Sequence, residues 1–114
     1  MKKLEQVIAA VSAVPAYVPE GWEGHDVNGV FASDLISDIL VSEGERVLLL
    51  TSLQTDQVLR AADVIGAAGV ILVNRNGVSE VFVKAAAEKG IPVFYTSLPK
   101  FESCVRLGKV LEPE

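Results

Sequence analysis

Cysteine, histidine and tryptophan each occur only once in these 114 residues. A lone thiol, Cys104, excludes an internal disulfide and an iron–sulfur cluster held by this chain alone, and it suits a reducing cytoplasm. The lone imidazole, His25, has no second histidine and no H-x-x-E element with which to build a metal site or an acid–base dyad. It reads as a surface loop residue between Gly24 and Asp26. Phosphate-loop elements are missing too: neither G-x-x-x-x-G-K-[ST] nor G-x-G-x-x-G is present, which argues against a nucleotide-hydrolysing or kinase centre. No G-x-S-x-G elbow supports serine-nucleophile chemistry. The expectation is a chain with no catalytic set, no metal site and no cofactor.

Basic charge is scarce. Ten Lys and Arg stand against fifteen Asp and Glu, for a net charge of −5, and the ten are scattered. A nucleic-acid or anionic-membrane surface needs a basic patch, so neither partner is expected. No apolar run approaches the roughly 18 residues of a spanning helix. The N-terminus alternates Lys2, Lys3, Glu5 and Gln6 with Leu4, Val7, Ile8 and Val11, an amphipathic helix rather than a secretory leader.

What the chain has in quantity is apolar residues, at 50%. Strands covered on both faces account for part of this, and a buried interface between copies would account for more, so a homo-oligomer is expected. The length suits one domain with a single core. A pattern then recurs three times. RVLLLT leads to SLQTD (Arg46 to Asp56), GVILV to NRNG (Gly69 to Gly77), and IPVFYT to SLP (Ile91 to Pro99). Each is an apolar strand, a polar tip and then a helical stretch. The spacing of about 22 residues is what one strand, one helix and two short loops require, without any duplication. Consecutive units of this kind build an α/β fold, three α/β/α layers around a mainly parallel sheet.

The flanking segments are read as follows. A first helix ends before Pro15, and residues 15–32 are irregular, with short strands near Ala16–Val18 and Val27–Phe31. Ser33 caps a helix that buries Leu35, Ile36, Ile39 and Leu40 and ends at Gly44. Thr55 caps one that buries Val58, Leu59, Ala62 and Ile65. Ser79 and Glu80 open one that buries Val81, Phe82, Ala85 and Ala86. Pro99 begins the last helix, with Phe101, Cys104, Val105 and Gly108 on its core face and Leu107 and Leu111 turned to a second surface. Cys104 is expected to be an inert core thiol and Trp22 a hydrophobic plug.

Parallel sheets bind ligands where their strands stop, so the tips are the candidate site. In the first tip Thr51, Gln54 and Thr55 offer hydroxyls and an amide beside free N–H groups at a helix start, although capping alone also explains Thr55 and Asp56. In the second, Asn74 and Arg75 suit either a tight turn or a turn that holds a phosphate or carboxylate. Thr96 and Ser97 form the third. Asp34 and Asp38, four apart, would share a helix face. Like charges at that spacing cost a few tenths of a kcal/mol, which fits either a solvated pair or a role towards a cation or a ligand hydroxyl.

Three segments resemble a known family. Phe31-Ala32-Ser33-Asp34-Leu35-Ile36-Ser37-Asp38-Ile39-Leu40 resembles the Y-V-S-D-L-L-S-D-V segment of small DRTGG-type domain proteins. Thr51-Ser52-Leu53-Gln54-Thr55, with Val58, Ala61 and Ala62, is similar to their T-x-Q-T-H-x-N-x-x-A-V-A segment. Thr96-Ser97-Leu98-Pro99-Lys100-Phe101-Glu102 is similar to T-x-L-x-x-F-E. The resemblance covers 25–111, leaving 1–24 as an N-terminal helix and loop within one domain of 1–114. The namesake motif is not intact. Asp56-Gln57 stands where D-R is expected, Val73 to Gly77 where T-G-G is, and the T-H-x-N element reads Thr55-Asp56-Gln57-Val58.

The resemblance implies an α/β regulatory or ligand-sensing domain that is dimeric and not an enzyme. Domains of this type resemble the N-terminal domain of HPr kinase/phosphorylase and occur as regulatory inserts in some pyrophosphatases. Stand-alone members lie near iron-only hydrogenase and other redox genes. The function expected is binding of a small anionic metabolite or nucleotide at the strand-end edge, through Asp34, Thr51, Gln54, Thr55, Asn74, Arg75, Thr96 and Ser97. Two alternatives stay open: a module that binds a redox-system protein, and a small metal-dependent phosphoryl enzyme using Asp34 and Asp38.

Overall fold

Leu48, Leu49 and Leu50 are all fully buried, yet Leu49 faces one way and its two neighbours the other. That alternation organises the chain, for which a computed structural model describes residues 2–42 and 44–111. In order, the described elements are β1 (Lys2–Lys3), α1 (Leu4–Ala10), β2 (Val14–Tyr17), a single 3-10 turn (Trp22–Gly24), β3 (Asp26–Val27), β4 (Gly29–Ala32) and α2 (Ile36–Leu40). Then come β5 (Val47–Thr51), α3 (Asp56–Ile65), β6 (Gly69–Leu72), α4 (Glu80–Lys89), β7 (Val93–Tyr95) and α5 (Lys100–Leu111). The main sheet runs β2-β7-β6-β5-β4, with β4 to β7 parallel and β2 antiparallel at one edge. β1 and β3 pair separately.

Side chains alternate across a strand, so the buried strands feed two cores at once. On one face Leu48, Leu50, Ile71, Val73 and Phe94 meet Leu4, Val7, Ile8 and Val11 of the α1 segment and Leu107 of α5. On the other, Leu49, Val70, Leu72 and Val93 meet Ile39 of α2, Val58, Leu59, Ala61 and Ala62 of α3, and Phe82 and Ala86 of α4. The result is the expected three-layer α/β/α fold with a mainly parallel sheet. Trp22 closes the first core, its ring 5.2 Å from that of Phe94 and tilted by 54°. It is the plug its loop position suggested.

Helices α3 and α4 are built alike. Thr55 and Ser79 cap them, accepting from the N–H of Val58 and Phe82. Gly66 and Gly90 end them at φ 67° and 68°, a left-handed conformation costly for other residues. The next N–H then closes back over the helix, Ala67 onto Ala62 O at 2.9 Å and Ile91 onto Ala86 O at 3.0 Å. Each closure drops the chain directly into the following strand.

Several local expectations are corrected. The first edge strand is Val14–Tyr17, and it includes Pro15, which an edge strand tolerates because its missing N–H is not needed there. α2 spans only five residues and starts at Ile36, so Asp34 precedes it and shares no helix face with Asp38. Ser33 does not cap it; its hydroxyl accepts from the N–H of Leu35 at 3.0 Å. In so short a helix only Ile39 turns fully inward, and Leu35 and Leu40 remain 56% and 46% exposed. The helix ends at Leu40, well before Gly44. In α4, Phe82 and Ala86 take the inward face and Val81 is 81% exposed.

The largest correction concerns α5. Its core face is Ser103 and Leu107, both fully buried, with Val110 and Leu111 packed alongside. Phe101 is 81% exposed and Val105 41%. The chain reaches α5 through a loop whose backbone is held to β6 and the loop after it, the Thr96 N–H donating to Leu72 O and Leu98 O accepting from the Asn74 N–H. Cys104 is half-buried; burial pushes its thiol up from the ordinary range, against the opposing charge of Lys100.

Candidate functional site

Four parallel strands end along one edge, and their outgoing loops are stitched together there. Ser33 N–H donates to Leu50 O (3.0 Å), Val73 N–H to Thr51 O (3.1 Å) and Thr96 N–H to Leu72 O (3.0 Å). The loop after β6 then crosses to the loop after β7: Asn74 N–H donates to Leu98 O at 2.9 Å and Arg75 N–H to Thr96 O at 3.0 Å. Asn74 makes this turn at φ 56°, a conformation Asn tolerates better than most residues.

The centre of the edge is a carboxylate. Asp34, on the loop after β4, reaches over the end of β5. Its Oδ1 accepts from Thr51 Oγ1 at 2.8 Å and from the Ser52 N–H at 2.8 Å. Its Oδ2 accepts from Ser52 Oγ and from Lys100 Nζ, the latter at 2.6 Å. Burial alone would raise its pKa. The Lys100 ammonium, the Ser52 N–H and the two hydroxyls outweigh that and hold the carboxyl well below the usual range. Its side chain is still 36% exposed, so solvent reaches it.

Arg75 comes in from the neighbouring tip. Its Nη2 donates to Ser52 O at 2.8 Å, and its Nε is buried without a partner among the described residues. The edge therefore gathers two cations, Arg75 and Lys100, around one carboxylate and the Ser52 backbone.

The expected residues take different places. Asp34, Thr51 and Arg75 converge. Thr51 is fully buried, its hydroxyl donating to Asp34 and accepting from Leu53 N–H at 3.2 Å. Thr96 is 1% exposed and ties the edge to the N-terminal segment, donating to Val11 O at 2.8 Å and accepting from Leu98 N–H at 3.2 Å. Both hydroxyls are thus spent within the fold. Gln54 lies off to the side, its Oε1 accepting from the N–H of Ser79 at 2.7 Å, beside a cleft of about 90 Å³ between α3 and α4. Thr55 caps α3, and Asn74 and Ser97 are exposed at the rim.

Ser52 and Lys100 are the contributors that reasoning from the sequence passed over. Ser52 lay within the first tip, and Lys100 follows the Pro that opens the last helix. Their common partner, Asp34, is 18 and 66 residues away, and no local pattern indicates those contacts. Among the described residues no group of three or more His, Cys, Asp and Glu could hold a metal ion, and no helix is long and apolar enough to cross a membrane.

No family model matches the chain, and no curated protein matches it. Among solved structures it is similar to the CBS and DRTGG domains of the regulatory region of Clostridium perfringens pyrophosphatase, in complex with the activator diadenosine tetraphosphate. The match has a TM-score of 0.71 at 13% identity and covers 92% of this chain but only 45% of that one. The chain thus spans less than half the length of this neighbour. At that identity the likeness is one of fold, to a region that includes a DRTGG domain.

Proposed function

We propose that this chain is a non-catalytic, ligand-sensing regulatory domain that binds a small anionic metabolite or nucleotide at the strand-end edge. The observation that carries the reading is the donor set at the end of β5. The Ser52 N–H and hydroxyl and the Lys100 ammonium already converge on a carboxylate, and the Arg75 guanidinium stands next to them with a buried, unpartnered Nε. Convergent charge-assisted donors of this kind suit a phosphate or a carboxylate. Asp34, Arg75 and the exposed Asn74 and Ser97 frame the edge. Gln54 and Thr55 mark its far side, and Thr51 and Thr96 hold the strand ends in register. The fold shared with a regulatory region that carries a nucleotide activator supports this assignment. The test is calorimetric titration of ATP, AMP, diadenosine tetraphosphate and inorganic phosphate into the wild type and into Arg75→Met. At least one of them binds the wild type, and the variant loses tenfold or more in affinity. Equal binding by the two proteins would move the site elsewhere.

A second reading rests on a different surface. Ile36 and Leu40 of α2 and Ala61 and Val64 of α3 line an open groove of about 330 Å³, with Gln57 and Arg60 at its rim. Val41 and Val64 are each 74% exposed beside it. This face supports pairing of the domain, as the homodimer that the resemblance implies or as a docking point for a redox-system protein in the cytoplasm. Leu107, which the sequence places on a second surface of the last helix, is in the core. Val64→Asp should lower the sedimentation coefficient from dimer to monomer if copies pair here, with anion affinity unchanged.

A further inference from the structure

The position best furnished for an anion at this edge is already filled by the chain itself. Asp34 takes four donors there, two from Ser52, one from Thr51 and one from Lys100. We infer that Asp34 is an internal stand-in for the ligand, a latch that an incoming anion must displace, and that its release loosens the segment carrying α2. The inference rests on the edge reading above and adds a regulatory step to it.

Three features of the structure carry it. First, the donors are those an external phosphate or carboxylate would use: the Ser52 N–H and hydroxyl each carry one proton and cannot serve two oxyanions at once, and the Lys100 ammonium would have to divide its charge between them. Of the four, Thr51 is fully buried, so the ligand competes chiefly for Ser52 and Lys100. Second, the latch is accessible from outside: the Asp34 and Lys100 side chains are 36% and 38% exposed. Third, the segment behind the latch is thinly anchored. Asp34 lies on the loop between β4 and α2, where Ser33 N–H bonds Leu50 O and Ser33 Oγ accepts from Leu35 N–H. Beyond it, α2 spans five residues and buries only Ile39 completely, while Leu35 and Val41 are 56% and 74% exposed. Segments with few buried contacts are the ones that open locally at low free-energy cost. The outer side of α2 also forms part of the apolar groove with α3. Displacing Asp34 therefore connects ligand binding at the strand edge to a change on the surface through which the domain would meet a partner.

A latch closed nine-tenths of the time lowers the apparent affinity for the competing anion about tenfold. Asp34→Asn keeps the shape of the side chain and removes the competing charge. Titrated with inorganic phosphate, it should bind about tenfold more tightly than the wild type, and the gain should vanish in Asp34→Asn/Lys100→Met. In the wild type, saturating phosphate should speed hydrogen exchange of the amides of residues 35–41 while leaving those of β5 unchanged. If the wild type binds phosphate or a nucleotide and Asp34→Asn binds no more tightly, the latch is wrong and the edge site stands. If neither protein binds any of these anions, both readings fall. Should Asp34→Asn not fold, exchange in the wild type decides: unaltered protection of 35–41 at saturating ligand overturns the latch.

Discussion

Replacing Leu107 and Phe101 by alanine, one at a time, tests the orientation of the last helix, on which the placing of Lys100 depends. Leu107 is fully exposed to neither solvent nor groove; it is wholly buried against α1 and the sheet. Truncating such a leucine forfeits its transfer free energy and leaves a cavity, a loss of about 3 kcal/mol, at the lower end of the usual range because neighbouring Val110 and Leu111 can close in part of the gap. Against a total stability on the order of 5–15 kcal/mol that is a large fraction, and in a domain of this size it lowers the melting temperature by roughly 12 °C, at about 4 °C per kcal/mol. Phe101, 81% exposed, has almost no buried area to lose, so its alanine variant stays within about 0.5 kcal/mol of the wild type. Urea unfolding followed by the fluorescence of Trp22, whose ring packs against Phe94 in the same core as Leu107, reads both variants. A Phe101→Ala variant as unstable as Leu107→Ala, or more so, would mean that α5 is turned the other way. Lys100 would then not reach Asp34, and the site as described would be wrong.

Two further predictions follow from particular contacts. Asp34 is held below its unfolded pKa of about 3.9, so its contribution to stability is complete above that pH and is lost as the pH falls from about 4 towards its folded value. After solvent screening it amounts to about 1 kcal/mol. Urea midpoints of wild type and Asp34→Asn should therefore differ by a constant amount from about pH 5 to 7 and converge below about pH 4, and parallel profiles throughout would refute the assignment. A Cβ added at Gly69 would stand 3.2 Å from Pro92 O and 3.4 Å from Leu48 Cδ1, between a backbone carbonyl and a packed strand. Gly69→Ala should lose about 1–3 kcal/mol by thermal unfolding, whereas Gly77→Ala, where nothing lies within 4 Å, should be nearly neutral.

The parts of this fold that could be read from the sequence are those whose signal is local. Three apolar runs bounded by polar tips could hardly be anything but covered strands, and Thr55, Ser79, Gly66 and Gly90 mark helix ends by side-chain and backbone chemistry that needs no distant partner. The faces of helices were less legible. In α5 the apolar residues fall on two faces, Phe101 with Val105 and Leu107 with Leu111, so composition does not say which of them is covered. In α2 the same ambiguity is worse, because five residues make little more than one turn.

The site divides in the same way. The sequence by itself determined that polar tips would close a parallel sheet, that Thr51 and Arg75 stood at two of those tips, and that no phosphate loop or histidine pair was available. Only the tertiary structure decided that Asp34 folds back over the end of β5 to meet Ser52 and Lys100, and that Thr51 and Thr96 are enclosed. The physical reason is range. Strand alternation and capping act over a few residues, whereas the hydrogen bonds that define this edge join residues 17 to 85 positions apart, and these meet only once the sheet has set its strands side by side.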